Sequence, residues 1–296
     1  MMGMIAPTSP VIFPGEIAAI WSGCRLSIDG NNPTMQAGSS QPTLYLVPFK
    51  SDKIIIWDGV KLRMMKVGYS EVSIAASSLS TVTYYHIYAY IKGSKVGLEA
   101  STTAPTYNTL TGQLTKTGDP TRLYHGCVWT DSTPNFGDQI MRRTVGNYYH
   151  PIQYCDLSSD GDNSWNCSST SAWEPINQGG VGATNWIHKF VSCYGQWGWS
   201  ADLSMAANNN YQCAIARDST STPDRSTTTF GYNALGTSFP IASIYAEVIT
   251  SANYHYLQGL QLSVSGTAQA YGDNGSSTPS AGTFQLQSGM RVCGWR

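Results

Sequence analysis

The stretch Asp156–Cys167, DLSSDGDNSWNC, sets three carboxylates, Asp156, Asp160 and Asp162, beside Asn163 in one polar loop. Oxygen-rich loops of this kind hold calcium when ligands alternate along the chain and a glutamate closes the ring. Here the DxDxDG order and the closing Glu are both absent, so the loop reads as a set of Asx turns and no metal is expected. Trp165 within the loop and Trp173 just beyond it carry indole faces of the kind that stack on sugar rings. Asp160, Asp162, Asn163, Trp165 and Trp173 are therefore the candidate ligand- or receptor-contacting residues. Trp165 is the tryptophan expected to be most exposed. Trp197 and Trp199 share one strand face and read as core.

Catalytic patterns are sparse. Gly198-Trp199-Ser200-Ala201-Asp202 has the serine of a nucleophile elbow but lacks its second glycine. The chain has no HExxH pair, no phosphate-binding loop and no dinucleotide fingerprint. Its five histidines are dispersed, and none pairs with another at metal-ligand spacing. His86 lies among tyrosines and reads as part of an aromatic strand face rather than as a base. Glycoside hydrolysis asks only for two acids about 5–10 Å apart in the fold. Asp131, Asp138, Glu174, Asp202 and Glu247 are the candidates for such a pair, and each reads as a surface or turn acid. No catalytic residue and no cofactor are expected, and the chain is read as non-enzymatic.

The seven cysteines form no CxxC pair and no zinc spacing, and an odd count leaves at least one thiol unpaired within the chain. Most read as reduced, buried, small apolar side chains. Cys155 and Cys167, which flank the polar loop, are the best candidates for a disulfide.

The elements that must position these residues are strands. Charged residues make up 12% of the chain, about half the usual share. Thr and Tyr suit pleated surfaces, and Gly, Asn and Ser suit the turns between them. The net charge of −1 and the scattered basic residues exclude an electrostatic nucleic-acid surface, while weak repulsion between copies permits self-association. Met1–Cys24 has no basic start before its apolar part, so no secretory signal is expected. No apolar run reaches the ~20 residues that span a bilayer, so no membrane insertion is expected.

Met1–Pro42, punctuated by five prolines, reads as an extended leader; its apolar patch Ile17–Trp21 docks either on its own first domain or on a larger assembly. A first β unit covers 43–152. Leu44–Phe49 and Lys53–Trp57 are strand-like, Asp58-Gly59 predicts a hairpin turn, and Lys61–Val67 returns. Thr81–Ile91 is a clear strand, with Tyr84, His86, Tyr88 and Tyr90 on one face and Tyr85, Ile87, Ala89 and Ile91 on the other. Thr121–Thr130 follows. Leu123–Ile152, with its loop Asp131–Asp138 and the basic pair Arg142-Arg143, reads as the last strand of this unit plus the connection to the next.

The second unit, 153–296, contains Trp186–Cys193, Gln196–Ala207, Tyr211–Arg217, Phe230–Ala234, Ser243–Thr250, Tyr256–Ser265 and Thr283–Val292 as strands. Turn-bounded strands at this spacing, without amphipathic helices, predict an all-β chain: a β-sandwich domain followed by a jelly-roll β-sandwich, after the extended N-terminal leader. In a jelly roll the last strand sits inside a sheet.

Three stretches then carry a resemblance. Tyr45–Leu62, YLVPFKSDKIIIWDGVKL, resembles the start of a β domain of tailed-bacteriophage virion proteins, where a YLTPY-like strand leads into an LYDG-like hairpin. Thr121–Gly126, TRLYHG, looks like that domain's TRRYLGT-type strand. Arg142–Pro151, RRTVGNYYHP, looks like its KRFVWNYYNR-type end, with Gly146 where an aromatic is usual and His150-Pro151 in place of Asn-Arg. These fibre, spike and decoration proteins often continue into heads similar to the tumour-necrosis-factor and C1q jelly rolls. The resemblance implies a homotrimeric fibre or spike of the virion, joined to other virion proteins through the leader, with a head that meets a host surface glycan or protein. A capsid or tail decoration protein that cements without host binding, and a glycan-processing enzyme on the same scaffold, are the alternatives.

Overall fold

The computed structural model describes residues 21–34, 39–159, 162, 164–178, 180, 186–194, 199–207, 211–224, 229–230, 239–247, 251–263, 266–271 and 288–295. The chain is all-β, and its second unit is jelly-roll-like.

The first unit is built from β1 (Cys24–Ser27), β2 (Thr43–Pro48), β3 (Lys53–Trp57), β4 (Leu62–Lys66), β5 (Val72–Ala75), one 3-10 turn (Ala76–Ser78), β6 (Tyr84–Lys92), β7 (Lys95–Ser101), β8 (Pro105–Asn108), β9 (Gln113–Lys116) and β10 (Asp119–Trp129). Strands β1-β2-β5 form one sheet, β7-β6-β10-β9-β8 another, and β3-β4 a hairpin. That hairpin turns where the Asp58-Gly59 pair predicts it. The Asp58 carboxylate accepts from the backbone N–H of Val60 and Lys61 at 2.8 and 2.7 Å, and Gly59 takes a φ of 99° that a side chain resists.

Strand β6 shows why the sheets stack. Tyr85, Ile87 and Ala89 enter the main core with Leu26, Leu44, Leu46, Ile54, Ile56 and Phe136. Tyr84, His86 and Tyr88 face the other way, with ring centroids of Tyr84 and His86 5.0 Å apart and those of Tyr88 and Tyr124 5.7 Å apart. His86 is thus part of an aromatic strand face, as its alternation implies. The leader expectation needs correction at its end. Residues 24–27 are a strand, β1, paired with β2. Cys24, Leu26 and Ile28 lie in the first core, and Trp21 packs against it. Residues 1–20 lie outside the described residues.

The connection weaves between the units. After β10, β11 (Asp138–Gln139) and β12 (Arg142–Arg143) join a sheet of the second unit, β12 running parallel to β17. The chain then returns as β13 (Val145–Asn147) to pair with β10, and only afterwards commits to the second unit at β14 (Gln153–Ser159). No single cut separates the two.

The second unit comprises β14, β15 (Ser164–Cys167), β16 (Glu174–Pro175), β17 (Ile187–Ser192), β18 (Trp199–Ala207), β19 (Tyr211–Arg217), β20 (Thr229–Phe230), β21 (Phe239–Glu247), β22 (Asn253–Ser263), β23 (Ala268–Tyr271) and β24 (Gly289–Trp295). One sheet runs β11-β12-β17-β22-β19-β20 with β16 on β22; the other runs β14-β24-β18-β23-β15 with β21 on β18. The last strand, β24, sits between β14 and β18, as a jelly roll requires. Trp165, Trp186, Phe190, Trp199, Leu203, Tyr211, Ile215, Leu257, Met290 and Val292 fill the space between the sheets. Trp199 is core, as its strand face predicts; Trp197 lies outside the described residues.

Aromatic contacts hold the units together. Trp129 of β10 stacks on Tyr254 of β22 with centroids 4.4 Å apart, a pairing that adds about 1 kcal/mol beyond its buried area. The Tyr84 hydroxyl donates to the Ser192 carbonyl at 3.0 Å. The tyrosine-rich face of β6 is therefore covered, in part, by the chain's own second unit.

Candidate functional site

Strand β15, SWNC, alternates. Ser164 and Asn166 are exposed, while Trp165 and Cys167 point into the core. Trp165 is only 8% exposed, so the expectation of an exposed indole is overturned: two-residue periodicity outweighs the polar composition of the loop. Its ring lies 6.0 Å from Trp186. Its Nε1–H donates to Gln261 Oε1 at 2.9 Å, the same oxygen that accepts from the Tyr211 hydroxyl at 2.8 Å. Gln261 Nε2 in turn donates to Glu174 Oε1 at 3.0 Å. One buried glutamine thus relays polar contact from the core to a half-buried carboxylate at β16.

Trp173, next to that carboxylate, is half-buried against Ala214, Ala216 and Leu260 on the outer face of the sheet. Asp162 accepts from Asn177 Nδ2 at 2.6 Å. That contact staples the base of the β15–β16 excursion, and Asn177 itself is buried with a φ of 53°. Asp160 and Asn163 lie outside the described residues. Of the five predicted residues the structure places Asp162, Trp165 and Trp173 along one excursion. Of the two tryptophans only Trp173 is partly exposed, while the carboxylate of its neighbour Glu174 turns to the opposite face, onto Gln261.

The acidic loop holds its carboxylates by protein contacts. Asp156 is 2% exposed and accepts from Arg143 Nε at 2.9 Å, from the Met141 N–H at 3.0 Å and from His188 Nε2 at 3.2 Å. Arg143 also donates to Asp138 at 3.0 Å. Burial alone would raise the Asp156 carboxyl, but the His188 and Arg143 contacts bring it down to about 2. Burial keeps His188 below its ordinary value despite the facing carboxylate. Among the described residues no group of three or more His, Cys, Asp or Glu could hold a metal ion.

Four of the five acids considered for glycoside hydrolysis already have partners: Asp131 with Arg142 at 2.7 Å, Asp138 with Arg143, Asp202 with Arg291, and Glu174 with Gln261. Nothing is described for the side chain of Glu247.

One nucleophile–base contact escaped the sequence reading. Ser22 Oγ lies 2.8 Å from His125 Nε2. Both residues are at most 1% exposed, His125 Nδ1 has no hydrogen-bond partner among the described residues, and burial holds the ring's pKa down to about 3. His150 Nε2 binds the Ser22 carbonyl at 2.6 Å, and the His125 ring packs on Tyr149. A base that cannot take a proton near neutrality, with no acid to orient it and no path to solvent, fastens β1 to β10 rather than activating a hydroxyl. Residues 103 apart carry no local signal for such a contact.

The disulfide is another correction. Cys155 bonds to Cys293, and Cys167 is a free, buried thiol. Strand register decides the pairing: Cys155 on β14 stands directly opposite Cys293 on β24.

No protein-family model matches the chain, and no curated protein matches it in sequence. Among solved structures it is similar to the globular domain of zebrafish complement 1qA protein, at 8% identity and a TM-score of 0.27, over 49% of this chain and 96% of that one.

Proposed function

We propose that the chain is a structural protein of a tailed-bacteriophage virion, a homotrimeric fibre or spike without enzymatic activity. Its second unit meets a host surface glycan or protein, and its N-terminal segment joins it to other virion proteins. The observation that carries the reading is the order of three stretches, Tyr45–Leu62, Thr121–Gly126 and Arg142–Pro151, in a β unit that continues into a jelly-roll-like second unit.

Those stretches converge in the fold, which supports treating them as one pattern. The first supplies β2 and the β3–β4 turn, the second lies in β10, and the third supplies β12 and β13. Within the third, the Asn147 side chain pairs with both backbone groups of Leu26, at 2.6 and 3.2 Å, and Tyr149 closes the first core. Occupied acids and a solvent-inaccessible Ser22–His125 contact favour adhesion over hydrolysis. Trp173 is the contact residue of choice, a partly exposed indole being suited to stack on a sugar ring.

Light scattering of the full chain tests the assembly, and a binding assay on bacterial cells tests the role. A mass near three chains, with cell binding and no release of reducing ends, is expected. Substituting Trp173 by Ala should weaken binding while leaving the mass unchanged. A stable monomer would overturn the fibre reading. Sugar release would point to the enzyme, and particle stabilisation without cell binding to the decoration protein.

A further inference from the structure

Two cysteines from different units meet at their junction. Cys127 lies on β10 and Cys193 just beyond β17, 66 residues apart, with their sulfurs 2.7 Å from each other. They are 0% and 1% exposed. Val191 packs with them, and Tyr84, Trp129 and Tyr254 surround the group.

Gly146 makes the approach possible. It stands opposite Cys127 in the β10–β13 register. A Cβ there would fall 2.6 Å from the Cys193 sulfur and 2.7 Å from the Cys127 sulfur, closer than a side chain tolerates, and a tight 3.2 Å from Val191. This is the position where the pattern that the chain resembles has an aromatic residue. In this chain the two sulfurs fill the space that a side chain at 146 would claim.

We propose that Cys127 and Cys193 are an oxidative cross-linking site, closing a disulfide that ties the second unit to β10. A bond needs the sulfurs to approach to about 2.05 Å. The oxidant class is a small-molecule disulfide, acting by exchange. One cysteine thiolate attacks the small disulfide, forming a mixed disulfide and expelling one small thiolate. The second cysteine then attacks the protein sulfur of that mixed disulfide and expels the other. The two protein thiols give up two protons and two electrons, and the small disulfide leaves as two thiols. Burial pushes the Cys193 thiol well above its ordinary pKa, so the reactive thiolate is scarce once the units have docked. The bond therefore closes as β17 comes onto β10 during folding, and only slowly in the docked protein. The inference does not depend on the function proposed above.

The full chain, refolded with oxidised and reduced glutathione and alkylated before unreduced digestion and mass spectrometry, decides the matter. The expected result is a peptide joining Cys127 to Cys193 beside the one joining Cys155 to Cys293. Of the five cysteines outside the Cys155–Cys293 bond, Cys24, Cys127, Cys167, Cys193 and Cys213, three should be alkylated. Oxidation should raise the melting temperature by roughly 5–10 °C over a Cys127→Ala/Cys193→Ala double variant. That variant should itself fold and show no such shift. Gly146→Ala should abolish the link and keep Cys155–Cys293. Full alkylation of Cys127 and Cys193 after oxidative refolding, stalled glutathione adducts on either, or links from either to another cysteine would each overturn the proposal.

Discussion

Arg143 shows what a single side chain does here. It is 2% exposed, between Asp138 on β11 and Asp156 on β14, and Asp156 also holds His188 on β17. Charges so deeply buried are tolerable only because they are paired; removing one partner of such a pair costs about 3–5 kcal/mol. Arg143→Met should therefore lower the unfolding free energy by about that amount in urea titration, and Arg143→Lys by less, since a point charge cannot serve two carboxylates as the planar fork does. A loss near zero for the methionine variant would show the network to be dispensable. Buried histidines make stability depend on pH. Burial depresses His125 to about 3 and His86 to about 4 from an ordinary 6.5. The folded chain keeps both neutral while the unfolded chain protonates them, so stability is complete above about pH 6.5 and falls as the pH drops towards those values. Each should cost about 2 kcal/mol between pH 7 and pH 5. Asp156, depressed to about 2, weakens the fold only below its ordinary 3.8, outside that window. Denaturant titrations at both pH values check this, and His125→Gln should remove about 2 kcal/mol of the drop, to which His188 and His150, also depressed by burial, add. At this scale the sequence was least legible. Arg142-Arg143 is visible as a basic pair, but the acids that claim it are set by strand register, and Trp165 was masked by its polar neighbours.

Strands were far more legible, because alternation is written into residue type. The two faces of β6 and the β3–β4 turn follow from period-two patterning and turn chemistry, and the interior place of β24 from the jelly-roll expectation for an apolar final strand. Strands β8 and β9 did not, since PTYN and QLTK are short and mostly polar. Strand β1 was hidden among prolines, with four residues whose burial comes from β2 and Asn147 rather than from their own pattern. Cysteine pairing was misjudged for a related reason: nearness in sequence favours Cys167, whereas antiparallel register favours Cys293, 138 residues on. That bond ties the opening strand of the second unit to its closing strand, and by chain-entropy reckoning a loop of this size stabilises by about 5 kcal/mol. Cys155 is exposed, so a water-soluble phosphine should reach the bond without prior unfolding. Reduction, or Cys155→Ser with Cys293→Ser, should lower the second unit's denaturation midpoint, with a loss of unfolding free energy near that value. An unchanged midpoint would mean that β14 and β24 hold each other without it.

The molecule as a whole is joined by more than a linker, and this sets how it can be divided. Composition and turn spacing imply two β units with a boundary near 152. Yet β11 and β12 complete a sheet of the second unit before β13 returns to the first. The crossing strands have two or three residues each, too few for periodicity to reveal. Their partners are therefore lost if the chain is cut where the sequence suggests. A fragment of residues 153–296 would keep Asp156 and His188 but lack Arg143, leaving a buried carboxylate without its guanidinium, and β17 without β12 beside it. A fragment of residues 131–296 keeps both. The longer fragment should be the more stable by about 3–5 kcal/mol, measured side by side in urea. Equal stability would mean that the weave is incidental to the second unit. A large difference would place part of the second unit's stability in residues that precede it in the chain.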